Sequence, residues 1–418
     1  MSFDLKRPRG PWLALVIVVA VVAVAAIVGV VALAAGGDGG GASDSSGIDT
    51  SFKEPTHFDS IDSVYNEESF SCGATDEKCI EKYLIKVTDD YGPQASLGVL
   101  ARLQHEQKVN MSVNDHQMAH LVGRDTAKDY GSNFKAFDLC PTSFNYGCSH
   151  GFFEYVLART PNARKAATTI CESLNPKTNL LIAGFTCYHG VGHGVMMAEA
   201  YDVHRSLKTC NTMPDAQAKD GCWQGVFMEN VNAGMQGRAL PGYFTRRDPL
   251  SPCDKVAAQY RHECYINHAG WLMSVAKNDI GKASRYCVKA EPARYKSSCW
   301  QSIGLMVTNP VWQATLSQGH TAGSPAAAAA ALCQRFPQRG RRDCVVAGVD
   351  NLANFDQLQV TREHAFCKEV KSDLQQDCYS RIGLDLNART HEEAVIRKGC
   401  GALGDRAKYC LAGAGIAA

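Results

Sequence analysis

The sequence predicts an all-α fold of disulfide-stapled helical hairpins, α-solenoid-like, behind a single N-terminal transmembrane helix. Three observations predict it. Eighteen cysteines fall into neighbouring couples, a short signature recurs after the second cysteine of each couple, and one long uncharged apolar run stands near the start.

The elements follow in chain order. Residues 1–10 form a basic tail with Lys6, Arg7 and Arg9. Residues 11–35 are a signal anchor: from Trp12 to Ala35 there is no charge and only one glycine, Gly29. At about 1.5 Å per residue such a run crosses a hydrocarbon core of about 30 Å. It is longer than the apolar region of a cleaved secretory signal, about 7–15 residues. The positive charge lies before the span, so the tail is expected in the cytoplasm and the rest outside it, in a single-pass plasma-membrane topology. Residues 36–66, rich in Gly, Ser and Asp, cannot bury a core and read as a flexible tether.

The body therefore begins near residue 67. Its cysteines couple in order: Cys72 with Cys79, Cys140 with Cys148, Cys171 with Cys187, Cys210 with Cys222, Cys253 with Cys264, Cys287 with Cys299, Cys333 with Cys344, Cys367 with Cys378, and Cys400 with Cys410. None shows the Cys-x2-Cys spacing of structural zinc. In an oxidising compartment nine local disulfides are the economical reading. The chain then repeats itself: Cys148-Ser-His-Gly, Cys187-Tyr-His-Gly, Cys222-Trp-Gln-Gly, Cys264-Tyr-Ile-Asn, Cys299-Trp-Gln-Ser, Cys344-Val-Val-Ala and Cys378-Tyr-Ser-Arg. Spacings of 32 to 45 residues between successive second cysteines match one helix–turn–helix unit. Period-2 alternation is scarce, so no sheet is expected. The aromatic after the second cysteine (Tyr188, Trp223, Tyr265, Trp300, Tyr379) reads as packing between repeats.

Chemistry concentrates at one end. His116-Gln-Met-Ala-His120, His150-Gly-Phe-Phe-Glu154 and His189-Gly-Val-Gly-His193 each place two metal-ligand side chains four residues apart, on one helix face. In the second and third, the ligands stand about 200° and 240° around the helix from the stapling cysteine. Staple and site therefore use different faces. If three adjacent helices turn these faces together, His116, His120, His150, Glu154, His189 and His193 converge. Six such ligands suit one or two transition-metal ions, with zinc, iron, manganese and copper all compatible. Glu229, one unit later, is the candidate general base beside a metal-bound water. Gly190, Gly192 and Gly194 weaken the third helix by propensity, and the same residues suit close helix contact.

From Cys253 onward the staples persist without ligands: Ile266, Gln301, Val346 and Ser380 take the first ligand position. The chain thus divides into His-bearing repeats, 67–250, and ligand-free repeats, 251–418. His204, His262, His268, His320, His364 and His391 lack the register and read as solvated or structural. A net charge of +1 leaves no footprint for nucleic acid. No Gly-x-Ser-x-Gly elbow, P-loop, dinucleotide fingerprint or His-Glu-x-x-His occurs. The leading expectation is a membrane-anchored extracytoplasmic metalloprotein, a metal-dependent hydrolase or oxidoreductase. The alternatives are metal capture or delivery, for which Met196 and Met197 suit copper, and a non-catalytic solenoid that binds a protein or cell-envelope ligand.

Overall fold

The structure is a computed structural model that describes residues 51–109, 115–141, 143–144, 146–160, 162–173, 180–237, 239–240, 242–318, 324–356 and 358–417. The basic tail, the expected anchor at 11–35 and residues 36–50 of the tether lie outside these residues, as does His320; the rest of the expected tether, 51–66, is described and runs into the helix Ile61–Glu67, whose Val64 is buried in the core. Among the described residues no helix is long and apolar enough to cross a membrane.

The described chain is helical, and the only β feature among the described residues is an isolated bridge between Thr245 and Asp248. The first helices are α1 (Ile61–Glu67), α2 (Glu77–Tyr91), α3 (Pro93–His105), α4 (Asp115–Asp129) and α5 (Phe134–Asp138). Then follow α6 (Gly147–Leu157), α7 (Ala163–Cys171), α8 (Leu180–Ala198), α9 (Val203–Cys210) and α10 (Ala216–Met235). Next come α11 (Arg261–Ile266), α12 (Ala269–Val275), α13 (Ile280–Tyr286), α14 (Arg294–Gln318) and α15 (Pro325–Gln334). The last are α16 (Arg341–Asp356), α17 (Thr361–Glu369), α18 (Ser372–Thr390), α19 (Glu393–Gly401) and α20 (Ala407–Gly413).

Starts are chemically marked. Asp76, Asn133, Asn162, Asp202, Asp215, Asp279 and Ser324 each accept a hydrogen bond from a first-turn backbone N–H, satisfying a donor the helix itself leaves open. The hairpins follow: a short helix ends at or beside its first cysteine, the chain turns, and a second helix carries the partner cysteine. All nine neighbouring couples are disulfide-bonded, with Cα–Cα separations of 5.3 to 5.8 Å, and no cysteine is free. Thus Cys344 on α16 is bonded to Cys333 on α15, and Cys378 on α18 to Cys367 on α17. Two couples depart from the hairpin form: Cys79 on α2 is bonded to Cys72 in the non-helical segment before that helix, and Cys264 on α11 to Cys253, which also lies outside any helix. Each bond closes a short loop, stabilising by roughly 2–3 kcal/mol in the chain-entropy model.

Packing divides the chain into two compact units, one built mainly from residues up to Ile303 and one mainly from Gly304 onward. The division drawn from the sequence at 250/251 followed the loss of ligand histidines, which is a matter of chemistry and not of packing. In the first unit Leu97, Leu100, Leu103 and Val109 are buried with Leu84, Val87 and Val122, so the apolar stripe ahead of α4 is core.

One helix crossing recurs. On α8 and α10, Gly192 sits against the Cys222 backbone and Gly225 against that of His189; added Cβ atoms would collide with the facing carbonyl oxygens. On α4 and α6, Gly123 faces Cys148 and Gly151 faces His120 in the same way. In the second unit Gly383 faces Cys410 and Gly413 faces Ser380 across α18 and α20. Backbone-to-backbone contact of this kind needs residues without side chains. It brings whatever stands beside each glycine into contact with the neighbouring helix.

Candidate metal centre

Those crossings carry the histidines inward. His120 and His193 are fully buried, and His150, His189 and Glu154 nearly so. Part of His116 reaches the surface, while its ring is enclosed. The five imidazoles form a continuous cluster. Ring centroids lie 4.5 Å apart for His116–His120, 5.3 Å for His120–His150, 5.1 Å for His120–His193, 4.7 Å for His150–His193 and 5.2 Å for His189–His193. The ligand faces of α4, α6 and α8 therefore meet.

The pairs on α4 and α8 do not share one register. The crossing glycine lies three residues after His120 in α4 and three after His189 in α8. By that register His120 corresponds to His189. The second histidine of α4, His116, lies a turn before it, and that of α8, His193, a turn after it. No cysteine in α4 reveals this offset, so spacing from the staples could not show it.

Each pair is anchored from behind. His120 Nδ1 lies 2.6 Å from Glu154 Oε1, and Arg124 donates to Glu154 Oε2 at 2.5 Å. His116 Nδ1 lies 2.8 Å from the carbonyl oxygen of Phe144, in the turn that leads into α6. His193 Nδ1 lies 3.1 Å from Glu229 Oε2. Burial pushes the Glu154 carboxyl up, but His120 and Arg124 outweigh it and hold the group below its usual range. Glu154 is therefore the anion that orients His120, with both oxygens engaged, and it also lies near enough to His193 to complete a donor group with His120. Glu229 plays the orienting part for His193, not that of a base facing an open coordination position. Arg124 was not singled out from the sequence; its place four residues after His120, on the same helix face, was the available signal.

In front, the other nitrogens converge. His120 Nε2 and His116 Nε2 are 3.0 Å apart, and His193 Nε2 and His189 Nε2 are 3.3 Å apart. Two nitrogens on one metal at about 2.0–2.1 Å stand about 3.3 Å apart in tetrahedral and about 3.0 Å apart in octahedral geometry. Two groups of three donors, His116/His120/His150 and His150/His189/His193, each have their atoms within 4.8 Å of one another.

Proton placement sharpens the point. A Phe144 carbonyl oxygen can only accept, so His116 carries its proton on Nδ1; the Glu154 carboxylate demands the same of His120. Both neutral rings then present bare lone pairs to each other at 3.0 Å. A cation must stand between them, either a proton that makes His120 an imidazolium or a metal ion. Burial and then His120 hold both His116 and His189 down to about 3, and His150 and His193 also lie well below the usual imidazole range, burial first and neighbouring histidines next. Neutral imidazoles with donated Nδ1 protons are the form in which histidine binds metal.

Four other histidines have other employment. His262 pairs with Ser298 Oγ, His268 with the Pro249 carbonyl, His364 with the Tyr379 hydroxyl, and His391 closes α18. Cys253 and Cys264 lie near His268, but their sulfurs are joined to each other. The aromatics after the second cysteines pack: Tyr265 stacks on Tyr295, Trp223 meets Tyr260 edge-on, and Trp300 donates to the Ser284 carbonyl. Comparison with protein-family models, with curated proteins and with solved structures yields no match for this chain.

Proposed function

We propose that this protein is a metalloprotein of the extracytoplasmic face, tethered by residues 11–35, that binds a transition-metal ion among α4, α6 and α8. One observation carries the reading: the lone pairs of His116 and His120 converge at 3.0 Å while an acceptor fixes the Nδ1 proton of each. Nine disulfides support an oxidising compartment. An all-imidazole face backed by carboxylates suits zinc, copper, iron or manganese and does not suit calcium or magnesium. Of the chemistries considered, hydrolysis is weakened, because its candidate base Glu229 already orients His193. Holding the metal, for capture, delivery or electron transfer, is favoured by ligands that are buried on every side.

The test is metal content. The full chain is extracted from membranes without chelating resin, and zinc, copper, iron and manganese are quantified by mass spectrometry. The His116→Ala/His120→Ala variant is treated alike. Bound metal in the parent, lost in a folded variant, supports the reading. A parent that holds none of the four, even after incubation with each, sinks it and leaves the ligand-binding scaffold. That second reading rests on a cleft of about 340 Å³ lined by Arg247, Asp248, Asp254, Arg261, Lys289 and Glu291, polar enough for a charged cell-envelope ligand.

A further inference from the structure

We propose that the centre holds two metal ions, with the ring of His150 between them. The inference rests on the metal reading above and deepens it.

The histidines do not surround one point. His116 has His120 and His150 as ring neighbours, and His189 has His193 and His150. Two of the three-donor groups share His150, and a third, His120/Glu154/His193, draws on both pairs. Like His189, His150 has no anchor for its Nδ1. His116, His120 and His193 each have an acceptor for Nδ1, but the buried Nδ1 of His150 has no hydrogen-bond partner, and its side chain lies in the middle of the cluster. A ligating histidine ordinarily donates its second nitrogen to a carboxylate or carbonyl. A histidine with its Nδ1 uncommitted, between two sets of imidazoles, is placed to serve both; to do so its ring gives up its remaining N–H proton to solvent as the second ion binds.

The full chain, stripped of metal and held in detergent, is titrated with Co²⁺ at neutral pH, with the visible absorption of the metal as readout. The expected result is two equivalents. His189→Gln/His193→Gln removes one and leaves the other, and so does His116→Gln/His120→Gln. Paramagnetic resonance of the doubly loaded protein shows the two ions coupled, and His150→Gln abolishes the coupling. Glutamine keeps each position polar and close in volume, and circular dichroism with melting confirms that a variant is folded. If a double variant fails to fold, Glu229→Gln for the second site or Glu154→Gln for the first takes its place, weakening one equivalent and not the other. A single equivalent lost with either pair of histidines overturns the two-ion proposal and preserves the metal reading. No equivalents overturn both.

Discussion

Replacing Gly151 by alanine tests whether the helix crossing, and not ligand identity alone, makes the centre. Gly151 follows His150 on α6, and a Cβ there would lie 2.6 Å from the carbonyl carbon of His120 and 2.7 Å from its Cα. Carbon atoms rest at about 3.5–4.0 Å, so α4 and α6 must part by roughly 0.8 Å or more. For the fold the cost is real, because the atom met first, the carbonyl oxygen of His120, is backbone and cannot turn aside. Overpacking costs about 1–3 kcal/mol, and alanine returns up to about 1 kcal/mol of helix propensity. The Cys140–Cys148 staple and the rest of the first unit remain in place. For the metal the cost is large, because ligand distances tolerate only about 0.2 Å. The expectation is a folded protein with a melting temperature lowered by a few degrees and metal affinity reduced at least 100-fold, read by competition with a chromophoric chelator. Gly184→Ala in α8 is the control, since nothing lies within 4 Å of its Cβ position, and it should bind metal as the parent does. A Gly151→Ala protein that is folded and keeps the parent affinity would refute the claim that the crossing sets ligand geometry.

Other outcomes follow from the same residues. Glu154→Gln removes the anion behind His120 and strands Arg124, so metal affinity should fall about 10- to 100-fold with little change in helicity by circular dichroism. Removing the Cys171–Cys187 staple should cost about 3 kcal/mol of stability and weaken metal binding through α8, whereas losing Cys400–Cys410 should destabilise by a similar amount and leave the metal untouched; chemical denaturation with parallel metal assays separates the two. His268, buried and bonded to the Pro249 carbonyl, is held down to about 4, chiefly by burial. Its folded value is below its unfolded one, so its contribution is complete above about 6.5 and is lost as pH falls towards about 4. At about 1.4 kcal/mol per tenfold change in proton affinity this amounts to roughly 3 kcal/mol. His268→Gln should flatten that part of the pH dependence of melting, measured on metal-free protein.

Much of the architecture was readable because it is local. Cysteine couples, capping residues and helix periodicity are encoded within a dozen residues, and the nine staples and the hairpins they join follow from them. The clustering of the six side chains was also readable, because an i,i+4 pair declares its own face. What the sequence could not show is how the helices meet. The offset of His116/His120 by one turn depends on Gly123 packing against Cys148, a contact between residues 25 positions apart. The same limit applies to Glu229. Read one unit at a time it looked like a base, and only the approach of α10 to α8 shows that it serves His193. Arg124 escaped notice because an arginine four residues beyond a histidine is ordinary surface chemistry until Glu154 arrives from another helix.

The crossing that holds His189 against α10 reappears between α18 and α20, with Ser380 in the place of the histidine and every staple intact. That geometry forms with no ligand present. Small zinc domains reach their fold only by closing on an ion. On the proposed reading the order of events here would be the reverse: helices would dock and thiols oxidise first, and an ion would enter a cavity already formed, so that loading and release of metal would be separate from folding.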